Sequence, residues 1–412
     1  MPKKRQDEQG VREQDVQGLK YFERLTPLLE RLHDVGCQRD KAGNRTLHYD
    51  QYCLLILLYF FNPIVDSMRG LSQASELKKV QKKLGCSRAS LGSLSESVAV
   101  FDPALLEPII GELAEQLRPF ARDPRLQEVR QIVELVDGTL LRSLPQLAAA
   151  SWGSQQPGHR HYAWRLHTHF EVERHVPTRM ILTDARGSGK SHEREVLRCG
   201  LQADRCYVMD RGYFAFRLFD EIVGAGSSYV CRIQENLPLE VEREYALSQE
   251  ARAAGVIHDA VVQRGGQSGK RPRHSVRVVT LEVTPHRKRS GHKGNAGPGN
   301  KGLLLIATNL LDVPAEVIAL LYQYRWLIEI FFRFFKHLLG CRHLLSHDPV
   351  GIQIQAYCAI IACMLISLWT GRKPTRRTYE MICYYLIGWA EEDEVLAHLA
   401  KLKAHDELQN KK

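Results

Sequence analysis

The chain has 412 residues, 44% apolar and 25% charged, a balance that supports a folded core and excludes extensive disorder. Its 57 Lys and Arg outnumber 47 Asp and Glu, and the net charge of +10 favours polyanionic partners, nucleic acid first. Ten cysteines lie singly, without CxxC spacing, so neither a cysteine zinc site nor a disulfide scaffold is expected.

The first residues, MPKKRQDEQG, carry no apolar run of the kind a secretory signal needs. Residues 1–125 read as a helical region. FERLTPLLERLHDV and PALLEPIIGELAEQL have helical apolar spacing, the second opened by Pro103 after Asp102 as a cap. The apolar runs at 52–65 and 357–369 are shorter than the roughly 20 residues a membrane span requires, so both are expected as buried helices. A cytoplasmic protein without a membrane partner is the corresponding expectation. Residues 68–98 fit a helix, a turn and a second helix, with Lys78, Lys79, Lys82, Lys83 and Arg88 at or near the surface. That face suits either DNA or plain solvation.

The pattern changes near Arg130. QIVELVDGTLLRSL begins as a strand and is read as breaking at Asp137-Gly138. Strands follow at HYAWRLHTHFEV and TRMILTD, a short helix near His192, a strand RCYVM ending at Asp210, a helix from Phe214 to Val223 and a strand SSYVCRI. This succession predicts a mixed α/β domain. Residues 234–302 interrupt it. From Arg264 to Lys301 there are ten Lys or Arg against one acid, Glu282, with GHKGNAGPGNKG as a loop. An inserted β-rich subdomain with basic loops is expected, suited to phosphate contact, with Arg287, Lys288 and Arg289 its densest cluster. GLLLIATNL then reads as a strand, PAEVIALLYQYRWLIEIFFRFFKHLLG as one or two helices, 351–369 as an apolar helix, and 371–412 as a basic, helical tail.

Three acids stand out by placement. Asp137 and Asp210 each close an apolar run, where α/β sites gather. Either one alone is as well explained as a cap or turn residue. At about 100° per residue, Tyr322, Arg325, Glu329 and Lys336 share one strip of an otherwise apolar helix, with Arg333 nearby. That strip also fits a packing ion pair, since Arg325 and Glu329 are four apart.

The spacing Tyr322-x2-Arg325-x3-Glu329-x6-Lys336 resembles the signature of bacterial IS4-type insertion-sequence transposases. VDGT at 136–139 and MDRGYF at 209–214 resemble that family's two aspartate regions, and 179–193 the stretch between them; the resemblance covers about residues 125–370. It implies a ribonuclease-H-like, retroviral-integrase-like core (126–370) interrupted by the insertion. It implies a helical N-terminal region (1–125) for DNA-end binding, and a tail (371–412) for dimerisation or DNA contact.

The resemblance further implies Asp137, Asp210 and Glu329 as catalytic residues and ligands of two Mg2+ ions, replaceable by Mn2+. Tyr322, Arg325 and Lys336 would grip DNA, with Arg211 adding to the channel. The implied partners are double-stranded DNA with terminal inverted repeats, target DNA and a second copy of the chain. Some relatives stack a flipped base on a Trp of the insertion. This chain has no Trp between 230 and 305, and Tyr229 or Tyr245 is the candidate substitute. A catalytically idle DNA binder and a structure-specific nuclease are the alternatives. GSGKS at 187–191 lacks the first Gly of an ATP-binding loop, with Asp184 in its place, and no nucleotide cofactor is expected. The histidines at 159, 161, 167, 169 and 175 have no compact metal-ligand spacing.

Overall fold

The computed structural model describes residues 25–35, 39–40, 43, 45–117, 123–142, 163–184, 189–264, 272–283, 302–338, 345–346 and 348–410. The chain forms two units, one of Arg118–Arg333 and one that joins Met1–Leu117 to Phe334–Lys412.

The helical unit starts with α1 (Thr26–Glu30), α2 (Leu32–Val35), α3 (Tyr49–Phe61), α4 (Met68–Ala74), α5 (Lys78–Leu84), α6 (Leu91–Val100) and α7 (Glu107–Gln116). Ser67 and Ser90 cap α4 and α6 by accepting from backbone N–H groups, and Gly85 closes α5 in the left-handed conformation. The segment read as two helices and a turn is therefore three short helices. Lys78, Lys79, Lys82, Lys83 and Arg88 are all exposed, and Arg88 pairs with Glu76 at 2.9 Å. Asp102 accepts from Ala104 N ahead of Pro103, the cap expected from sequence.

In the other unit, nine strands form one mixed sheet: β1 (Ile132–Arg142), β2 (Ala163–Glu171), β3 (Val176–Asp184), β4 (Arg205–Met209), β5 (Ser228–Arg232), β6 (Leu239–Glu244), β7 (Val256–Arg264), β8 (Val276–Glu282) and β9 (Leu303–Thr308). Their spatial order is β3-β2-β1-β4-β5-β9-β8-β7-β6. β1, β4 and β5 are parallel neighbours, and the other pairs are antiparallel. The parallel strand β4 is buried over Cys206–Met209, which explains its unbroken apolar run. Helices α8 (Glu193–Arg198), α9 (Phe216–Gly224), α10 (Gln249–Ala253) and α11 (Ala315–Tyr324) belong to this unit. Leu197 and the α9 residues Leu218, Phe219 and Ile222 pack on Val136, Tyr207, Met209 and Tyr229 of the sheet. The result is a mixed α/β core in line with the ribonuclease-H-like expectation.

One expectation needs correction, and one is sharpened. β1 does not break at Asp137-Gly138: it runs to Arg142, because β2 stays paired with it as far as Arg142↔Ala163. The parallel pairing with β4 does stop there, at Val136↔Met209. The insertion is β-rich, and among the described residues its strands form no separate sheet. β6, β7 and β8 extend the same sheet outward from β9, since β8 pairs with β9 in register from Arg277↔Thr308 to Glu282↔Leu303.

α12 (Trp326–Leu338) follows α11 after a single break at Arg325 and runs across the boundary between the units. The helical unit resumes with α13 (Pro349–Thr370), α14 (Arg376–Leu386) and α15 (Glu392–Asn410). At 22 residues α13 is longer than the apolar run marks it, and it is long and apolar enough to cross a membrane. It is mostly buried, packed on α3, α6 and α7, and Tyr357 donates to Glu107 at 2.8 Å.

Candidate active site

The site starts from the parallel pair. Asp137 and Asp210 each stand one residue beyond the last paired positions of β1 and β4. Adjacent strands lie about 4.8 Å apart, so the two carboxylates project side by side. Local hydrogen bonds orient both. Gly138 N donates to Asp137 Oδ1 at 2.7 Å, and Gly212 N donates to Asp210 Oδ1 at 2.8 Å in a short helical turn, Arg211–Tyr213. Cys231 Sγ lies 3.3 Å from the Asp210 carbonyl oxygen, to which it donates.

The polar strip supplies the facing wall. Arg325 is the C-cap of α11 and keeps helical dihedrals, between α11 and α12. Its guanidinium reaches Glu329 Oε1 at 2.6 Å and Asp137 Oδ2 at 3.6 Å. Arg325 therefore joins the first and third carboxylates, with the Tyr322 ring 5.8 Å from it. Burial, reinforced by the charges of Asp210 and Glu329, pushes Asp137 up to about 7, against the opposing pull of Arg325 and the Gly138 N–H. Tyr213 is buried, its hydroxyl without a hydrogen-bond partner among the described residues, and burial with the Asp137 and Asp210 charges pushes it well above its ordinary value.

The other expected residues take the following places. Arg211 is half-buried at the start of the turn after Asp210. Arg333 is exposed, one turn beyond Glu329. Lys336 lies in the part of α12 that belongs to the helical unit. Arg287, Lys288 and Arg289 fall outside the described residues. Tyr229 cannot offer a stacking surface. It is fully buried, stacked on Phe219 at 3.9 Å, with its hydroxyl 3.0 Å from His274. Tyr245 is half-buried, with the Arg243 and Arg277 guanidiniums 4.9 and 4.6 Å from its ring centre.

Periodicity alone missed several neighbours. Trp326 and Ile330 are 46% and 41% exposed on α12, although the helix reads as largely buried. Arg165 of β2 pairs with Glu193 at the start of α8, and Arg194 Nε donates to Gly212 O at 2.9 Å. The signal for this group is Gly138 next to Asp137, since a glycine inside a strand marks close approach of another group. His167 and His169 are buried on β2 and engage Thr183 at 2.8 Å and Glu134 at 3.5 Å, as packing residues.

A separate metal-capable group lies in the helical unit, where His33, Asp34 and His48 bring ligand atoms within 4.8 Å of one another. The two rings stack at 3.7 Å, and His33 Nδ1 contacts Asp50 at 3.0 Å. Its nitrogen donors suit a softer cation than the all-carboxylate set does.

Residues 130–365 match the Transposase DDE domain family, more than half of the sequence, so the chain belongs to that family. The IS4-type resemblance stands on this match. A putative transposase, y4zB, of Sinorhizobium fredii (strain NBRC 101917 / NGR234) is 25% identical over 266 residues, 64% of this chain and 67% of that protein. A probable transposase for insertion sequence element IS5377 of Geobacillus stearothermophilus is 26% identical over 216 residues, 52% of this chain and 51% of that protein. A cryo-EM structure of a piggyBac transposase synaptic complex with hairpin DNA covers 93% of this chain and 84% of its own at 9% identity. Its TM-score of 0.39 is too low to carry an argument.

Proposed function

We propose that this protein is a metal-dependent DNA transposase, with Asp137, Asp210 and Glu329 as its catalytic carboxylates. The observation that carries this is the convergence of Asp137 and Asp210, just past the point where the parallel pairing of β1 and β4 stops, with Glu329 held toward Asp137 by Arg325.

The donor set fits Mg2+ or Mn2+. Three carboxylates supply hard oxygen ligands, and the raised Asp137 marks a crowding of negative charge that a cation would relieve. Asp137 would contact both ions, Asp210 would hold one and Glu329 the other. When bound, a metal pair activates water or a 3′-hydroxyl and stabilises the leaving oxygen of a phosphodiester.

The chain's own residues have further work. Asp137 gives up its proton to become a ligand. Arg325 holds Asp137 and Glu329 together, then offers its planar fork to a DNA phosphate. Tyr322, Lys336, Arg211, Arg333 and the basic loop at Arg287, Lys288 and Arg289 would line the path of the backbone. The exposed lysines of α5 suit phosphate contact by the N-terminal region, and exposed Trp326 offers a ring on which a base can stack.

We further propose a pair of protein copies in the DNA complex, acting in the bacterial cytoplasm on terminal inverted repeats and target DNA. Hydrolysis at the ends is followed by strand transfer. The test is cleavage of DNA bearing the element's own ends, with Mg2+ and with chelator. Wild type is compared with Asp137→Ala, Asp210→Ala and Glu329→Ala. Cleavage that survives all three substitutions refutes the site. Specific binding without cleavage by wild type identifies an idle binder, and cutting without 3′-end transfer identifies a nuclease.

A further inference from the structure

Gly138 and Gly212 sit where one acidic side chain comes close to both aspartate-bearing segments. A Cβ added at Gly138 would stand 3.0 Å from Glu193 Oε1, and one at Gly212 would stand 3.4 Å from Glu193 Oε2. The same point at Gly212 is 3.0 Å from Asp210 Oδ1. Neither glycine has a positive φ, so what each provides is the absence of a side chain, not backbone freedom. Along β1, Asp137 and Gly138 point to opposite faces of the sheet. The Glu193 carboxylate therefore lies behind the strand whose front carries Asp137.

Glu193 is held there. Arg165 forms an ion pair with its Oε1, and both side chains are about one-fifth exposed. Arg165 belongs to β2, in register with Leu140 of β1, and its aliphatic stem is 3.7 Å from the Gly138 point. On the other side, Arg194 Nε donates to the Gly212 carbonyl at 2.9 Å. The start of α8 thus grips the turn that bears Asp210 and the strand that bears Asp137 at the same time. A carboxylate beside the backbone segments that carry two others is best held neutralised, and Arg165 provides that neutralisation.

We infer that Glu193, buckled to Arg165, is a positioning residue that fixes the spacing of Asp137 and Asp210 for metal binding, and that Gly138 and Gly212 are glycine to admit it. Glu193 acts through the two aspartates and is not itself a ligand. This inference rests on the proposed function.

The test is Mn2+ affinity of the full-length protein without DNA, by calorimetry, with melting temperature recorded for every variant. Asp137→Ala and Asp210→Ala lose the site. Glu193→Ala weakens Mn2+ binding about 10- to 100-fold, as loss of a group that orients metal ligands does. Glu193→Gln keeps the shape and a hydrogen bond to Arg165, and recovers most of the affinity. Gly138→Ala displaces the carboxylate and weakens binding likewise, but adds little in the Glu193→Ala background, where the crowding is gone.

Mn2+ affinity in Glu193→Ala within about twofold of wild type, with Asp137→Ala still defective, overturns the inference and leaves the proposed function standing. A Gln variant as defective as Ala also overturns it, because the charge itself is then required. Mn2+ binding that survives Asp137→Ala and Asp210→Ala sinks both readings. Should Glu193→Ala fail to fold, Gly138→Ala decides: normal Mn2+ affinity there overturns the inference.

Discussion

Asp137→Asn should make the metal-free protein more stable while abolishing its metal binding. The wild-type carboxyl titrates at about 7 in the fold against an ordinary 3.8. A charged Asp137 therefore costs the folded state roughly 4 kcal/mol at full ionisation. Solvent reaches 19% of the side chain and screens part of that, leaving about 2 kcal/mol as the expected gain from Asn. Asn keeps an Oδ1 to accept from Gly138 N, so the local turn survives. The sign follows from the raised folded pKa. The cost is absent below about pH 4, where both states are protonated, grows between pH 4 and 7, and is complete above 7. Thermal unfolding in EDTA should show the Asn protein melting about 4 to 8 °C higher at pH 8, with the gain vanishing toward pH 4. With Mg2+ added the order reverses, because only wild type gains a ligand. A lower melting temperature for Asn at pH 8 in EDTA, or an equal gain at both pH values, would refute the reasoning.

Metal affinity should itself depend on pH. Below about 7 the Asp137 proton must leave, so Mn2+ affinity rises by up to about tenfold per pH unit and then levels off above 7; a flat profile from pH 5.5 to 8 contradicts this. Arg325→Ala removes the cation that neutralises Asp137 and Glu329. The metal-free protein should lose stability, Mg2+ should raise its melting temperature by more than it raises that of wild type, and cleavage should fall about tenfold or more for want of a phosphate grip. Equal Mg2+ shifts in the two proteins count against it. Arg277→Ala strips a buried partner from Asp259, paired with it at 2.6 Å, and should cost about 3–5 kcal/mol by chemical denaturation. A loss below about 1 kcal/mol would show that the pair is not isolated from solvent.

The strands and helices of the core are legible because their apolar periods are local. RCYVM, SSYVCRI and GLLLIATNL each fall on an observed strand, and PAEVIALLYQYRWLIEIFFRFFKHL on the α11–α12 pair. The break assigned at Asp137-Gly138 shows where local reasoning ends. Asp followed by Gly is a turn pattern by itself, but nine register pairs with β2 hold the strand straight through it. Glu193, more than fifty positions away, comes up against Gly138, and the glycine itself is the one sign of that approach along the chain. β6 and α10 are equally invisible. LEVERE is exposed over nearly all its length and forms a strand because β7 templates it. The helical unit assembles both ends of the chain around α13, and no along-chain pattern carries a pairing of that range.

The sheet order gives the insertion a structural connection to the site. β9 returns beside β5, so β6, β7 and β8 add to the sheet's far side without separating β5 from the segment that leads to α11. That segment is braced from β8. The guanidinium of Arg277 donates through Nη1 to the carbonyls of Leu310, Leu311 and Val313 at 3.0, 3.2 and 2.5 Å, while Nε and Nη2 stay on Asp259 of β7. One side chain of the insertion thus saturates the loop that launches the helix bearing Tyr322 and capped by Arg325. Loss of Arg277 should therefore loosen the Arg325 wall as well as the insertion. An Arg277→Lys protein, which keeps the charge without the fork, should lose cleavage more than it loses stability. If activity in that variant follows stability alone, the brace is structural and the insertion serves the site only by presenting its basic loops.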